Sequence, residues 1–155
     1  MLKIGDKAPS FCLPNEQNEN VCLQDFEGKW VVVYFYPKDM TPGCTTEACD
    51  FSDNFQEFKE MNAEIIGISP DETKSHTKFR EKYSLQHILL SDSEYIVLKK
   101  YGVWQMKKMY GKEYMGVVRS TFLINPEGKI VKIWEKVKIK DHVEDIKGSL
   151  SDLLT

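Results

Sequence analysis

The stretch that most constrains this chain is Trp30-Val31-Val32-Val33-Tyr34-Phe35-Tyr36, an apolar run without a polar position. A strand with one face in water alternates; one that is β-branched and aromatic throughout is covered on both faces, as in a sheet flanked by helices. The run is broken by Pro37-Lys38-Asp39-Met40-Thr41-Pro42-Gly43, with two prolines and a glycine. Beyond the break, Ala48, Phe51, Phe55 and Phe58 recur at helical spacing, predicting a helix from near Thr45. Stepping back four residues from Ala48 puts Cys44 on the same stripe, in the first turn. A thiol therefore sits where a buried strand hands over to a helix.

That position has chemical consequences. The thiolate is the nucleophile, and a free thiol, with a pKa of roughly 8.5, is mostly protonated at neutral pH. Unpaired N–H groups and the positive end of the helix dipole favour an anion in a first turn. Pro42 and Gly43 let backbone approach the sulfur, and Thr41, three residues before it, can aim a hydroxyl at whatever the sulfur attacks. The competing reading is a small buried hydrophobe, the ordinary state of a free cysteine.

The 155 residues suit one domain, 1–155, large enough to bury a core without disulfide staples, so the four cysteines are not expected to form a framework. A net charge of −3 gives no footprint for nucleic acid or a membrane surface. Residues 1–7 hold no apolar stretch of signal-peptide length, and no segment approaches the ~18 apolar residues of a membrane span. The expectation is a cytoplasmic protein in which lasting structural disulfides do not form. Cys12 and Cys22, each between two apolar residues, read as packing residues that face each other across a hairpin spanning residues 14–20.

Further along, Ala63–Ile68 reads as a second core strand, and Ser69-Pro70-Asp71-Glu72 as the capped start of a helix carrying Phe79 and Tyr83. Ile88-Leu89-Leu90 is a third strand; Ser91-Asp92-Ser93-Glu94 opens a short helix through Tyr95, Leu98 and Tyr101. Gly102 to Val118 lacks firm periodicity and is expected to be a long surface excursion with a short hairpin at Tyr110–Glu113, the Trp104 to Met115 part bordering the pocket around Cys44. Ser120–Ile124 and Lys129–Trp134 flank an Asn125-Pro126-Glu127-Gly128 turn and form a hairpin. Asp141 and Glu144 cap a last helix with Val143, Ile146, Leu150 and Leu153 on one stripe. The order implies an α/β fold: a central mixed sheet flanked by helices, thioredoxin-like, with an N-terminal β-hairpin extension.

The pattern Pro37-x-x-x-Thr41-x-x-Cys44, within Phe35-Tyr36-Pro37-Lys38-Asp39-Met40-Thr41-Pro42-Gly43-Cys44-Thr45-Thr46-Glu47-Ala48-Cys49, resembles the active-site signature of the peroxiredoxins, in particular the peroxiredoxin Q or bacterioferritin comigratory protein subfamily. Gly5-Asp6-Lys7-Ala8-Pro9 resembles that subfamily's opening, and Arg119–Ile124 the strand that supplies its arginine. The resemblance implies a thiol-dependent peroxidase without cofactor or metal. Cys44 would be the peroxidatic cysteine, oxidised by hydrogen peroxide or an organic hydroperoxide to a sulfenic acid. Thr41 and Arg119 would hold the peroxide, Pro37 would shield the pocket, and Glu47 would orient Arg119 through a bidentate pair. Cys49 would be the resolving cysteine, thioredoxin the reductant, and the protein a monomer.

Cys49 makes a demand on dynamics. Residues five apart in an ideal helix point about 140° apart, with Cα atoms roughly 8.5 Å from each other, whereas a disulfide tolerates at most about 7 Å. Bonding Cys44 to Cys49 therefore requires the first turns of the helix to unwind. The helical wheel puts Cys49 off the apolar stripe, beside Asp53, Gln56 and Glu60. Two rival enzyme readings are weaker: Thr41 stands where a Cys-x-x-Cys dithiol needs sulfur, and His76, His87 and His142 lie in separate elements without paired metal ligands, as surface or packed residues. A non-enzymatic alternative uses the same residues: a redox sensor or interaction module, triggered by Cys44 oxidation.

Overall fold

The computed structural model describes residues 2–155; Met1 lies outside them. Strand β3 (Trp30–Phe35) is central in a five-stranded sheet ordered β5-β4-β3-β8-β9, with β4 Ala63–Ser69, β5 Ile88–Ser91, β8 Ser120–Ile124 and β9 Ile130–Trp134. β3–β4 and β4–β5 are parallel, β3–β8 and β8–β9 antiparallel, so the sheet is mixed. The absence of alternation in β3 now has its cause. Val31, Val33 and Phe35 enter one core with Phe11, Leu98, Tyr101 and Phe122, while Val32, Tyr34 and Tyr36 enter the other with Cys44, Phe51, Phe58, Phe79 and Ile146. Burying each of these large side chains is worth about 1.5–3 kcal/mol.

Helices α1 (Pro42–Asp53), α2 (Phe55–Glu60), α3 (Thr73–Tyr83) and α5 (His142–Leu154) bury side chains in the Tyr34 face. The short α4 (Ile96–Lys100) and the N-terminal segment cover the Phe35 face. Among the described residues no helix is long and apolar enough to cross a membrane.

Several local expectations change. The Phe51/Phe55/Phe58 stripe is not one helix: the Asn54 side chain donates to Asp50 O at 2.7 Å, and the backbone turns between α1 and α2. Ser69 does not cap α3; it ends β4 and donates to Asp71 Oδ2, and the helix starts four residues later. Asp92 accepts from the Leu98 N–H, and α4 begins only after Tyr95, at φ +63°. The 102–118 excursion is more ordered than expected: β6 (Trp104–Met109) and β7 (Lys112–Val117) pair throughout around Tyr110-Gly111, both at positive φ as a two-residue hairpin turn requires. Its base, Val103, Trp104 and Val117, packs on the Phe35 face, opposite the core that holds Cys44.

The N-terminal hairpin, β1 (Cys12–Pro14) and β2 (Asn20–Cys22), corrects the expectation of a chain without structural disulfides. Cys12 and Cys22 are directly opposed in its ladder and are bonded to each other. Closing so short a loop constrains the unfolded chain by about 2–4 kcal/mol. Cys12→Ser should therefore unfold at a lower urea concentration than the oxidised wild type, by that free energy, and should match wild type treated with dithiothreitol. Equal midpoints for oxidised wild type and variant would contradict this.

Candidate active site

The register of the sheet assembles the site. Phe35 pairs with Ser120 across β3 and β8, so Arg119, the residue before Ser120, arrives beside the end of β3 where the chain turns into α1. The turn, residues 37–41, places Thr41 at the N-cap, Pro42 at the first helical position and Cys44 at the third. The helix thus begins three residues earlier than Thr45, and Cys44 lies within its first turn as expected. Its side chain is buried, facing the core with Ala48 and Phe51.

Arg119 joins the two elements. Its Nη2 donates to Cys44 Sγ at 3.2 Å and its Nη1 to Glu47 Oε1 at 2.6 Å. The expected bidentate pair with Glu47 is therefore a single bond, because the other arm of the guanidinium is turned to the sulfur. Glu47 is fully buried, and its Oε2 has no hydrogen-bond partner among the described residues. Burial pushes its carboxyl up from the ordinary 4.5 to about 7, against the pull of the Arg119 charge. Arg119 is itself held above its ordinary value despite its own burial, by the charges of Glu47 and Cys44.

The sign of the Glu47 shift fixes a pH dependence. Between about 4.5 and 7 the folded state keeps a proton that the unfolded chain releases, so this carboxyl stabilises fully below that window and progressively less as pH rises through it. Glu47→Gln should gain in melting temperature relative to wild type as pH goes from 4.5 to 7.5. A constant difference across that range would contradict the shift.

Thr41 Oγ1 donates to Lys38 O at 3.0 Å, which commits its proton and leaves the oxygen free to accept. Pro37 is half-buried immediately after Tyr36. Gly43 sits in close quarters: a Cβ there would lie 3.1 Å from Ile139 Cδ1 and 3.4 Å from Arg119 Nη2, so any side chain would press those two neighbours back by a few tenths of an ångström. Ile139, from the loop between β9 and α5, packs beside Gly43 and is a neighbour that sequence reasoning missed. It is flanked by Lys138 and Lys140 and reads as surface; the signal was the period-two pattern Val137, Ile139 between lysines. The same loop fixes the Arg119 backbone, since Val137 N donates to Arg119 O at 3.0 Å.

Cys49 lies farther along α1, half-buried against the edge of the same core and not bonded to Cys44. Burial, then the nearby Asp53 and Asp50, push its thiol up, so in the closed helix it is a poor nucleophile. Because α1 is continuous from Pro42 to Asp53, the two cysteines are at helical separation, roughly 8.5 Å between Cα atoms. Cys12 and Cys22 belong to the hairpin on the other face of the sheet and are bonded to each other, which removes them as partners of Cys44 in this state.

The three histidines are all buried and packed, and each has a polar partner: His87 with Tyr34 at 2.6 Å, His142 with Thr121 at 2.8 Å and His76 with Asp39 at 2.7 Å. His76 was the least legible of them, since Lys74, Ser75, Thr77 and Lys78 around it suggest solvent.

This architecture and site recur in known proteins. Residues 4–133 match the model of the AhpC/TSA family. Peroxiredoxin Bcp of Bacillus subtilis is 53% identical over 152 residues, covering 98% of this chain and 97% of that one. Among solved structures, a peroxiredoxin Q variant from Xylella fastidiosa superposes with a TM-score of 0.95 at 36% identity, covering 100% of this chain and 99% of its own. The bacterioferritin comigratory protein of Xanthomonas campestris, studied for alkyl peroxide reduction, does so at 0.89 and 39% identity, covering 94% and 92%. The chain belongs to the AhpC/TSA family and, within it, to the Bcp/peroxiredoxin Q group of peroxiredoxins. It is accordingly a thiol-dependent peroxidase with a thioredoxin-like fold.

Proposed function

We propose that Cys44 is the peroxidatic cysteine and Cys49 the resolving one, in a cycle that reduces hydrogen peroxide and organic hydroperoxides at the expense of thioredoxin. The observation that carries this reading is the Arg119 guanidinium, shared between Cys44 Sγ and Glu47. A peroxide entering the pocket donates its hydrogen to Thr41 Oγ1, whose own proton is committed to Lys38 O. The electron pair of the Cys44 thiolate forms the S–O bond as the O–O bond breaks. Arg119 stabilises the negative charge on the departing oxygen, which takes up a proton and leaves as water or alcohol. Pro37 and Ile139 limit water around the sulfur, and Gly43 keeps room for Arg119 beside it.

The product is a Cys44 sulfenic acid. Resolution requires the first turns of α1 to open, and opening also removes the burial that holds the Cys49 thiol up. The Cys49 thiolate then attacks the Cys44 sulfur, expelling the sulfenic oxygen as water and forming a disulfide. A dithiol reductant returns both thiols. We assign this to a single domain spanning residues 1–155, acting as a cytoplasmic monomer, in keeping with the subfamily resemblance.

The test is turnover. Reduced protein supplied with thioredoxin, its reductase and excess peroxide should consume many equivalents, and Cys44→Ser none above background. A single equivalent followed by arrest would favour the redox-sensor reading. Glutathione and glutaredoxin supporting the same rate would contradict a specific role for thioredoxin.

A further inference from the structure

The turn that carries Thr41 and leads into Cys44 is anchored by a buried polar network outside the reacting atoms. Lys38 and Met40 face solvent, whereas Asp39 between them is only 5% exposed. Its carboxylate accepts from Tyr36 Oη at 2.7 Å and Ser75 Oγ at 2.8 Å, and meets His76 Nδ1 at 2.7 Å. Its backbone N–H donates to Asp71 Oδ2 at 2.7 Å, which also accepts from Ser69 Oγ. His76 is completely buried, and its Nε2 faces Leu90 O at 3.0 Å. A carbonyl only accepts, so Nε2 carries a hydrogen; the close Nδ1–carboxylate contact then holds one proton shared between the two groups.

These contacts tie the turn to β4, to α3 and, through His76, to β5. None of them touches Cys44, Arg119 or Glu47 by hydrogen bond. They act where the cycle needs control, because the first turn of α1 must be formed for attack and opened for disulfide formation. Leaving such a group buried without its partner is costly, so the network resists opening at the N-terminal side of the helix. Met40, at φ +65°, is strained backbone within the segment it holds.

We propose that Asp39 and His76 are positioning residues: their buried bond pins the 37–41 turn to α3 and β5 and thereby sets the balance between the closed helix that attacks peroxide and the open one that forms the Cys44–Cys49 bond. The inference rests on the cysteine roles proposed above. Weakening the pin shifts the balance towards opening. Attack slows, disulfide formation quickens, and over-oxidation of Cys44 to sulfinic acid needs more peroxide.

His76→Asn is expected to slow sulfenate formation and to raise the peroxide concentration that half-converts Cys44 to sulfinic acid, each by about tenfold, the scale of a lost charge-assisted hydrogen bond. Ser75→Ala, which removes one bond to Asp39 at the edge of the network, should do the same by about threefold and serves if His76→Asn does not fold. A merely structural role would lower thermal stability without moving the ratio of disulfide to sulfinic acid, and an unmoved ratio in a folded variant overturns the proposal. Amide hydrogen exchange on the reduced protein reads the pin without peroxide. Faster exchange confined to residues 39–46 in Ser75→Ala supports it; unchanged exchange, or loss spread through β3, overturns it. Failure of wild type to form a Cys44–Cys49 bond would instead defeat the proposed cysteine roles, leaving the exchange result to decide the pin.

Discussion

Arg119→Met is expected to slow the first oxidation of Cys44 by about two to three orders of magnitude, the cost of removing one aimed donor from a charge-developing transition state. Methionine keeps much of the side-chain volume but loses both the bond to Cys44 Sγ and the bond to Glu47. The loss should appear in the second-order rate with peroxide, measured by quenching with an alkylating agent at short times. Arg119→Lys should recover only part of it, since one ammonium on a flexible stem cannot serve sulfur and carboxylate in the fixed geometry of a guanidinium. A Met variant within about threefold of wild type would remove Arg119 from the chemistry, a smaller effect than any loss of an aimed donor.

Cys49→Ser should separate the two halves of the cycle. Its first equivalent of peroxide reacts at the wild-type rate, because Cys49 lies outside the Arg119–Cys44–Glu47 contacts. Steady turnover with thioredoxin then falls to the background of Cys44→Ser, and sulfinic acid accumulates on Cys44, which has no free thiol to capture its sulfenate while Cys12 and Cys22 stay bonded to each other. Continued cycling at the wild-type rate would mean that an outside thiol resolves Cys44 directly. The raised Cys49 thiol sharpens the point: a half-buried thiol beside two aspartates is a poor nucleophile while the helix is closed.

The parts of this design that were legible in the sequence are those carried by local pattern. The apolar run from Trp30 to Tyr36 announced a strand covered on both sides, and Pro42-Gly43 before a helical stripe placed Cys44 in a first turn. The Asn125–Gly128 turn marked the β8–β9 hairpin, and β8 pairing with β3 brings Arg119 to the end of the sheet where α1 begins. What escaped depends on tertiary contact. Asp39 and His76 are far apart in the chain, one in a turn between exposed Lys38 and Met40 and the other among Lys74, Ser75, Thr77 and Lys78, so only the fold reveals that both are buried. The break at Asn54 hid behind phenylalanines whose spacing continues across it. Ile139 reads as part of a lysine-rich loop until Gly43 is found against it. The Cys12–Cys22 bond follows from hairpin register, which facing positions suggested, but compartment reasoning argued against its forming.

The central claim is that one helix serves both as the cradle for attack and as the segment that opens for resolution. It is tested most directly by a single turnover: fully reduced protein, one equivalent of hydrogen peroxide, rapid alkylation, and mapping of all four cysteines by mass spectrometry. The expected result is a Cys44–Cys49 disulfide, a bond that the continuous helix Pro42–Asp53 cannot accommodate without unwinding. Recovery of Cys44 as an alkylated, unoxidised thiol after the peroxide has been consumed would contradict the account at its centre.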